Sequence, residues 1–337
     1  MKHLVLSALG LLLVTSAQVH AQSAGSNGEA DFKAGTPLGM VVDGNYEAIS
    51  DNVKVYGAIV SAESCSYDET RDLIVAVNRG ANQNEAPNDG FVSLINHDGS
   101  VHTARWIGVV PPAGASREGL VLNQPFGSDI EGGKLYVADR DGGTDDDTPS
   151  VSVIRSFDME TGAPAGEIKV EDSPGFNDIE VAADGVIYAT QTSAGGRNPD
   201  PSTFRVYKVT PDGASSVLIE GAPLNLPNGI AIDGDGNLVV VNIGDKGVLT
   251  FSPDGKLLKT EEAAQAGSDG LVIMEDGTKY VGSVREGGIS RISPDGKAEL
   301  IATGIPMAAS MCYDAGGNQL VIPMNSNNAL ALVPLAD

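Results

Sequence analysis

Short apolar runs recur along this chain, each preceded by an alternating segment and a turn. The stretches ESCSYDETRDLIV, NDIEVAADGVIYA, NGIAIDGDGNLVV and DGLVIMEDGTKYV read alike. In each, a polar residue stands eleven positions before the second apolar residue of the run: Glu63 before Ile74, Asn177 before Tyr188, Asn228 before Val239 and Asp269 before Tyr280. Further turns follow at Asp98-Gly99, Thr161-Gly162, Pro211-Asp212-Gly213, Pro253-Asp254-Gly255 and Pro294-Asp295-Gly296. Short apolar runs bounded by turn residues read as strands, and Asp-Gly between two of them reads as a hairpin.

Aligned on these runs, six repeats begin near Glu63, Phe126, Asn177, Asn228, Asp269 and Ser310, at steps of 63, 51, 51, 41 and 41 residues. A period of this size marks a repeat architecture. With short strands and tight turns it predicts an all-β fold: a six-bladed β-propeller with four-stranded blades. The WD and kelch patterns are absent. The last unit, 308–335, is one strand short. The segment 35–56 holds Met40-Val41-Val42 and Val53-Lys54-Val55, and part of it is expected to supply the outer strand of the last blade and close the ring. The propeller is thus a single domain over 35–337.

The first residues, MKHLVLSALGLLLVTSAQVHAQ, combine one Lys, an apolar run from Leu4 to Val14 and the small-residue exit Val19-His20-Ala21. That is the layout of a secretory signal peptide, 1–21, followed by a loose small-polar leader, 22–34. The run is too short for a membrane span. The mature protein is expected in the periplasm or secreted, with no membrane partner. The formal charge of −24 repels phosphate backbones and argues against nucleic acid. A complete ring needs no second copy, so a monomer is expected. Of four His, His3 and His20 leave with the signal peptide, and His97 and His102 flank one turn, so a His/Cys zinc site is not indicated.

Across the six equivalent positions the chain reads Glu, Phe, Asn, Asn, Asp and Ser. Pro227-Asn228-Gly229 taken alone is a turn signal. Four oxygen donors at one repeat position are different, because the ring gathers them round one axis. Like charges gathered there repel unless a cation joins them. Glu63, Asn177, Asn228 and Asp269 are therefore candidate metal ligands. Hard oxygens select calcium first; the other divalent candidates are magnesium, manganese and zinc. Arg79 and Arg140 end the second strands of blades one and two on the ligand face, and with Asn177 are candidate contacts for a small-molecule substrate. The loops 78–90, 139–150 and 191–203 should wall the mouth on one side. The acidic tip Asp145-Asp146-Asp147 reads as solvated surface.

These repeats resemble the gluconolactonase family, which includes the senescence marker protein and the luciferin-regenerating enzyme. The resemblance covers about residues 55–335 and is strongest in LPNGIAIDGDGN and SDGLVIMEDGT. It implies calcium bound by Glu63, Asn177, Asn228 and Asp269, and hydrolysis of lactones or related esters. Asp269 would act as general base or as nucleophile. Two departures point away from gluconolactone itself. The Arg that sugar-lactone members carry two before the third-blade Asn is Gly175 here, and their Trp after the first-blade Glu is missing, with Tyr67 nearest. A binding propeller without chemistry is the second reading. A quinone-dependent sugar dehydrogenase lacks its His base here, and a strictosidine-synthase-like enzyme usually lacks this ligand set.

Cys65 and Cys312 are equivalent positions in the first and last blades, which become neighbours when the ring closes. In an oxidising compartment a disulfide there would staple the closure, contributing on the order of 4 kcal/mol. The other reading is two small buried thiols, since the equivalent positions elsewhere are Ile179, Ile230 and Leu271.

Overall fold

The apolar runs lie in the second strands of the blades, and in five of the six blades both faces of that strand are covered. Leu73–Asn78, Ile187–Gln191, Leu238–Asn242, Lys279–Ser283 and Gln319–Pro323 are buried at every position. Within one such strand, alternate side chains face opposite neighbours, as the two-residue period of a strand requires. Val75 and Val77 pack toward blade 2, whereas Ile74 and Ala76 pack toward blade 6. Leu238 and Val240 join a cluster with blade 3, and Val239 and Val241 one with blade 5.

The computed structural model describes residues 39–42, 45–48, 54–56, 59–80, 89–108, 122–143, 147–195 and 198–336. The expected signal peptide and leader, and Asp145 and Asp146, lie outside the described residues. Six antiparallel four-stranded sheets are the blades, five of them in sequence order and the sixth completed by an early strand. Their inner strands are Ala62–Asp68, Ser128–Glu131, Ile179–Val181, Pro227–Ile232, Ser268–Ile273 and Cys312–Asp314. Each inner strand neighbours the next, and the sixth touches the first, so the ring is closed. Among the described residues there is no α-helix, only two single turns of 3₁₀ helix. Six hydrophobic clusters fill the six seams, one between each pair of blades. Each Val, Leu or Ile fully buried there contributes about 1.5–3 kcal/mol. The Pro-Asp-Gly turns join third to fourth strands as expected, with Gly213, Gly255 and Gly296 at φ of +86°, +83° and +86°.

Blade 6 takes its outer strand from Lys54–Tyr56, which pairs antiparallel with Leu330, Ala331 and Leu332. The early segment thus closes the ring as the repeat count requires. Of the two expected stretches, Lys54-Val55 serves, while Met40-Val41-Val42 lies in a separate two-stranded hairpin, Gly39–Val42 with Asn45–Ala48, and Val53 lies outside the described residues. Other bonds cross the same seam. His97 Nδ1 lies 2.8 Å from Asp314 Oδ1, Gln319 Nε2 donates to the His97 carbonyl at 2.6 Å, and Ser61 Oγ donates to Asn325 Oδ1 at 3.1 Å. Cys65 and Cys312 meet across it, bonded, with Cα atoms 5.5 Å apart.

This geometry makes thiol counting decisive. The denatured, unreduced protein is expected to show no free thiol, and Cys65→Ser with Cys312→Ser to lose on the order of 4 kcal/mol of stability; two free thiols would remove the staple.

Candidate functional site

A propeller's inner strands have an edge facing the central channel, and an unpaired edge must be satisfied or covered. Here side chains of one blade bond the inner strand of the next. Ser64 Oγ donates to the Phe126 carbonyl at 2.7 Å, and Thr190 Oγ1 to the Asn228 carbonyl at 2.5 Å. Asp129 accepts from Val181 N at 2.8 Å, Asp178 from Ile230 N at 3.1 Å, and Glu180 from Ile232 N at 3.2 Å. Three carboxylates therefore line the channel as inter-blade clasps. Around them lies a cavity of about 200 Å³.

At one mouth of the channel, three inner strands bulge. Each carries one residue more than its partner strand, between Ala62 and Ser64, between Pro227 and Ile230, and between Ser268 and Leu271. Glu63, Asn228 and Asp269 sit in these bulges, which re-aim side chains next to functional sites. Pro227-Asn228-Gly229 is thus part of a strand, and its Gly serves close approach instead of a turn. A Cβ on Gly229 would come within 2.3 Å of the Asp269 carbonyl oxygen, and one on Gly270 within 2.6 Å of Met311 N.

Glu63, Asn228 and Asp269 are all buried. Asn228 Nδ2 donates to Asp269 Oδ2 at 3.3 Å, while Asn228 Oδ1 is buried with no partner among the described residues. Asn325 Nδ2 donates to Glu63 Oε2, and Arg79 Nη1 approaches the same oxygen at 3.6 Å. Burial pushes the Asp269 carboxyl well above the usual range, helped by the charges of Glu63 and Asp178. Burial also raises Glu63, against the opposing charge of Arg79. Asn177 is half-buried on the same mouth, just ahead of its strand, and makes no side-chain bond to the other three among the described residues. It lines an adjoining cavity of about 250 Å³ with Phe126 and Arg140.

Sequence reasoning missed two groups here. Asp178 is buried, and its carboxyl is pushed up to about 7 by burial, with the charges of Asp129 and Glu63 adding to it. Its signal was a break in the repeat: blades 4 and 5 read Asn228-Gly229 and Asp269-Gly270, but blade 3 reads Asn177-Asp178. That Asp fills the space above Gly127, where a Cβ would meet Asp178 Oδ1 at 2.1 Å. Asn325 gave no signal, since its contact with Glu63 spans 262 residues.

The site fits a divalent cation on its donor chemistry. Two carboxylates carry the charge, and the orphaned Asn228 Oδ1 is a buried hard oxygen awaiting a cation or donor. Among the described residues no three His, Cys, Asp or Glu side chains are grouped to hold a metal by themselves. The amide oxygens of Asn228 and Asn177 would have to complete the set.

Fold and site together define a six-bladed propeller with an oxygen-rich centre at one mouth of its channel. The chain belongs to the SMP-30/gluconolactonase/LRE-like family, whose region matches residues 16–322. Among solved structures it is similar to a gluconolactonase from Xanthomonas campestris, with a TM-score of 0.60 and 18% identity over 94% of this chain and 99% of that one. A putative gluconolactonase aligns at a TM-score of 0.58 and 16% identity, over 85% of this chain and 93% of that one. The virginiamycin B lyase of Staphylococcus aureus aligns at 0.53 and 12%, over 84% of this chain and all (100%) of the lyase. At these identities the likeness is one of fold. No curated protein matches the chain in sequence.

The close approach at Gly229 sets a sharp contrast. Gly229→Ala is expected to destabilise the protein by about 1–3 kcal/mol or more and to abolish cation-dependent stabilisation. Gly175→Ala, where a Cβ meets nothing within 4 Å, should change the melting temperature little. Thermal melts of both variants with and without calcium check this.

Proposed function

We propose that this protein is a divalent-cation-dependent hydrolase of lactones or related esters. The observation that carries the reading is the pairing of two buried carboxylates, Glu63 and Asp269, with the orphaned Asn228 Oδ1 at one mouth of the ring. Family membership and the gluconolactonase folds support it. Glu63, Asp269, Asn228 and Asn177 would hold the cation, with calcium the first expectation. When bound, such a cation polarises a carbonyl oxygen and stabilises the charge that grows on it.

The chain's own residues supply the rest. Asp269 accepts a proton from the attacking water, whose oxygen bonds to the carbonyl carbon. The acyl C–O bond then breaks, and the proton passes to the leaving alkoxide, giving a hydroxy acid. Its place at the mouth beside Glu63 and Asn228 favours this role. Direct attack by Asp269 on the carbonyl carbon is the other route its position allows. Asn325 and Arg79 hold Glu63 in place. Asn177, Arg79 and Arg140 are assigned to the substrate side. The N-terminal pattern supports export to the periplasm or beyond, where a Cys65–Cys312 bond would persist.

Acid release from a panel of lactones and aryl esters tests this, with calcium and with chelator. Chelator-sensitive turnover is expected, with Asp269→Ala lower by at least about a hundredfold. If no substrate turns over while calcium still binds and stabilises the fold, the non-catalytic binding propeller takes precedence.

A further inference from the structure

The second position of the ring carries Phe126 where the other five blades carry Glu63, Asn177, Asn228, Asp269 and Ser310. Two guanidinium groups converge on that ring. Arg79 Cζ lies 4.4 Å from the Phe126 centroid and Arg140 Cζ 5.8 Å from it. The two cations feel each other: burial lowers the proton affinity of Arg140, and the charge of Arg79 lowers it further.

Such a pair is out of keeping with the rest of the chain. The protein has 21 Lys and Arg against 45 Asp and Glu, and the arginines that pair do so with carboxylates. Arg155 has three: Asp139, Asp141 and Glu167. Arg205 has Glu220, and Arg291 has Glu299. Arg140 forms no ion pair and no side-chain hydrogen bond among the described residues, although it is half-buried. Arg79 Nε is likewise buried without a partner, and its Nη1 reaches only as far as 3.6 Å from Glu63. Holding two cations together in partial burial costs free energy unless an anion joins them.

The position of the pair says where that anion would sit. Arg140 and Phe126 line the cavity of about 250 Å³ that also holds Asn177, and Gly175 leaves its wall open, with nothing within 4 Å of where a Cβ would be. A small ligand in this cavity meets both Arg140 and a candidate metal ligand, Asn177. A guanidinium presents a planar fork that matches a carboxylate.

We infer that Arg79, Phe126 and Arg140 form an anion seat beside the candidate metal centre, and that it takes substrates carrying a carboxylate group. This rests on the hydrolase reading for the substrate's reactive end, but the seat itself is testable without turnover. A lactone bearing a ring carboxylate would place its acid on Arg140 and its carbonyl toward Asp269.

Glutarate is the probe for binding, measured by calorimetry on the purified protein with calcium, with pentane-1,5-diol as the uncharged control. Glutarate should bind and the diol should not. Arg140→Met should weaken glutarate by about tenfold or more, and Arg140→Lys, which keeps the charge, should weaken it less. In parallel, kcat/KM is compared for γ-butyrolactone and its carboxylate-bearing analogue. The carboxylate form should be preferred in the wild type, and the preference should be lost in Arg140→Met. Absence of glutarate binding, or binding unchanged in a folded Arg140→Met protein, overturns the anion seat whatever the lactones do. Glutarate binding without turnover of either lactone upholds the seat and removes the hydrolase.

Discussion

Glu63 and Asp269 are buried at the mouth of the ring within each other's field, and the opposing cation near them, Arg79, stands 3.6 Å from Glu63 and acts on Asp269 only through its charge. Placing ionised carboxylates out of water costs several kcal/mol each unless charge and hydrogen bonds compensate. Asn325 and Arg79 compensate Glu63; for Asp269 there is one weak donor, Asn228 Nδ2, at 3.3 Å. The same Asn turns its carbonyl oxygen into the space with no partner. Deficient charge and surplus acceptors at one place are the mark of a cation site. The roles proposed for Asp269 as base, and for Asn177 and the arginines as substrate contacts, rest on that deficit.

The rest of the ring is arranged so that this deficit is held open. Six hydrophobic seams fix the blades, and their second strands, covered on both sides, cannot slip register without exposing a face. The channel edge is closed by clasps from blade to blade, so the inner strands can afford bulges at Glu63, Asn228 and Asp269. Closure joins Lys54–Tyr56 to blade 6 and Cys65 to Cys312, which sets Glu63 against Asn325 from the far end of the chain. The site is thereby a product of ring closure, since Glu63 comes from the first blade and Asn325 from the last.

The sequence carried the fold because each blade repeats the same local signals: an apolar run, an Asp-Gly turn, another run. It carried the equivalence of Glu63, Asn177, Asn228 and Asp269 because a ring turns a repeat position into a shared place. It did not carry the bulges, since one extra residue in a strand leaves no mark in hydrophobic periodicity. Pro227-Asn228-Gly229 looks like a turn for that reason. Nor did it carry Asn325, whose role depends on a contact made only when the ring closes. Asp178 was visible only as a break in the Asn-Gly and Asp-Gly pattern of blades 4 and 5. Arg79 and Arg140 were legible as candidates at the ends of their strands, but their convergence on Phe126 was not, because it joins residues from two blades.

The most direct measurement is anomalous diffraction from crystals soaked in manganese, with calcium-soaked crystals for the distances. The account predicts one ordered ion at the mouth of the ring, with oxygens of Glu63, Asn228 and Asp269 about 2.3–2.6 Å from calcium. A mouth without an ion in both soaks, or an ion held instead by Asp129 and Glu180 deeper in the channel, would contradict it.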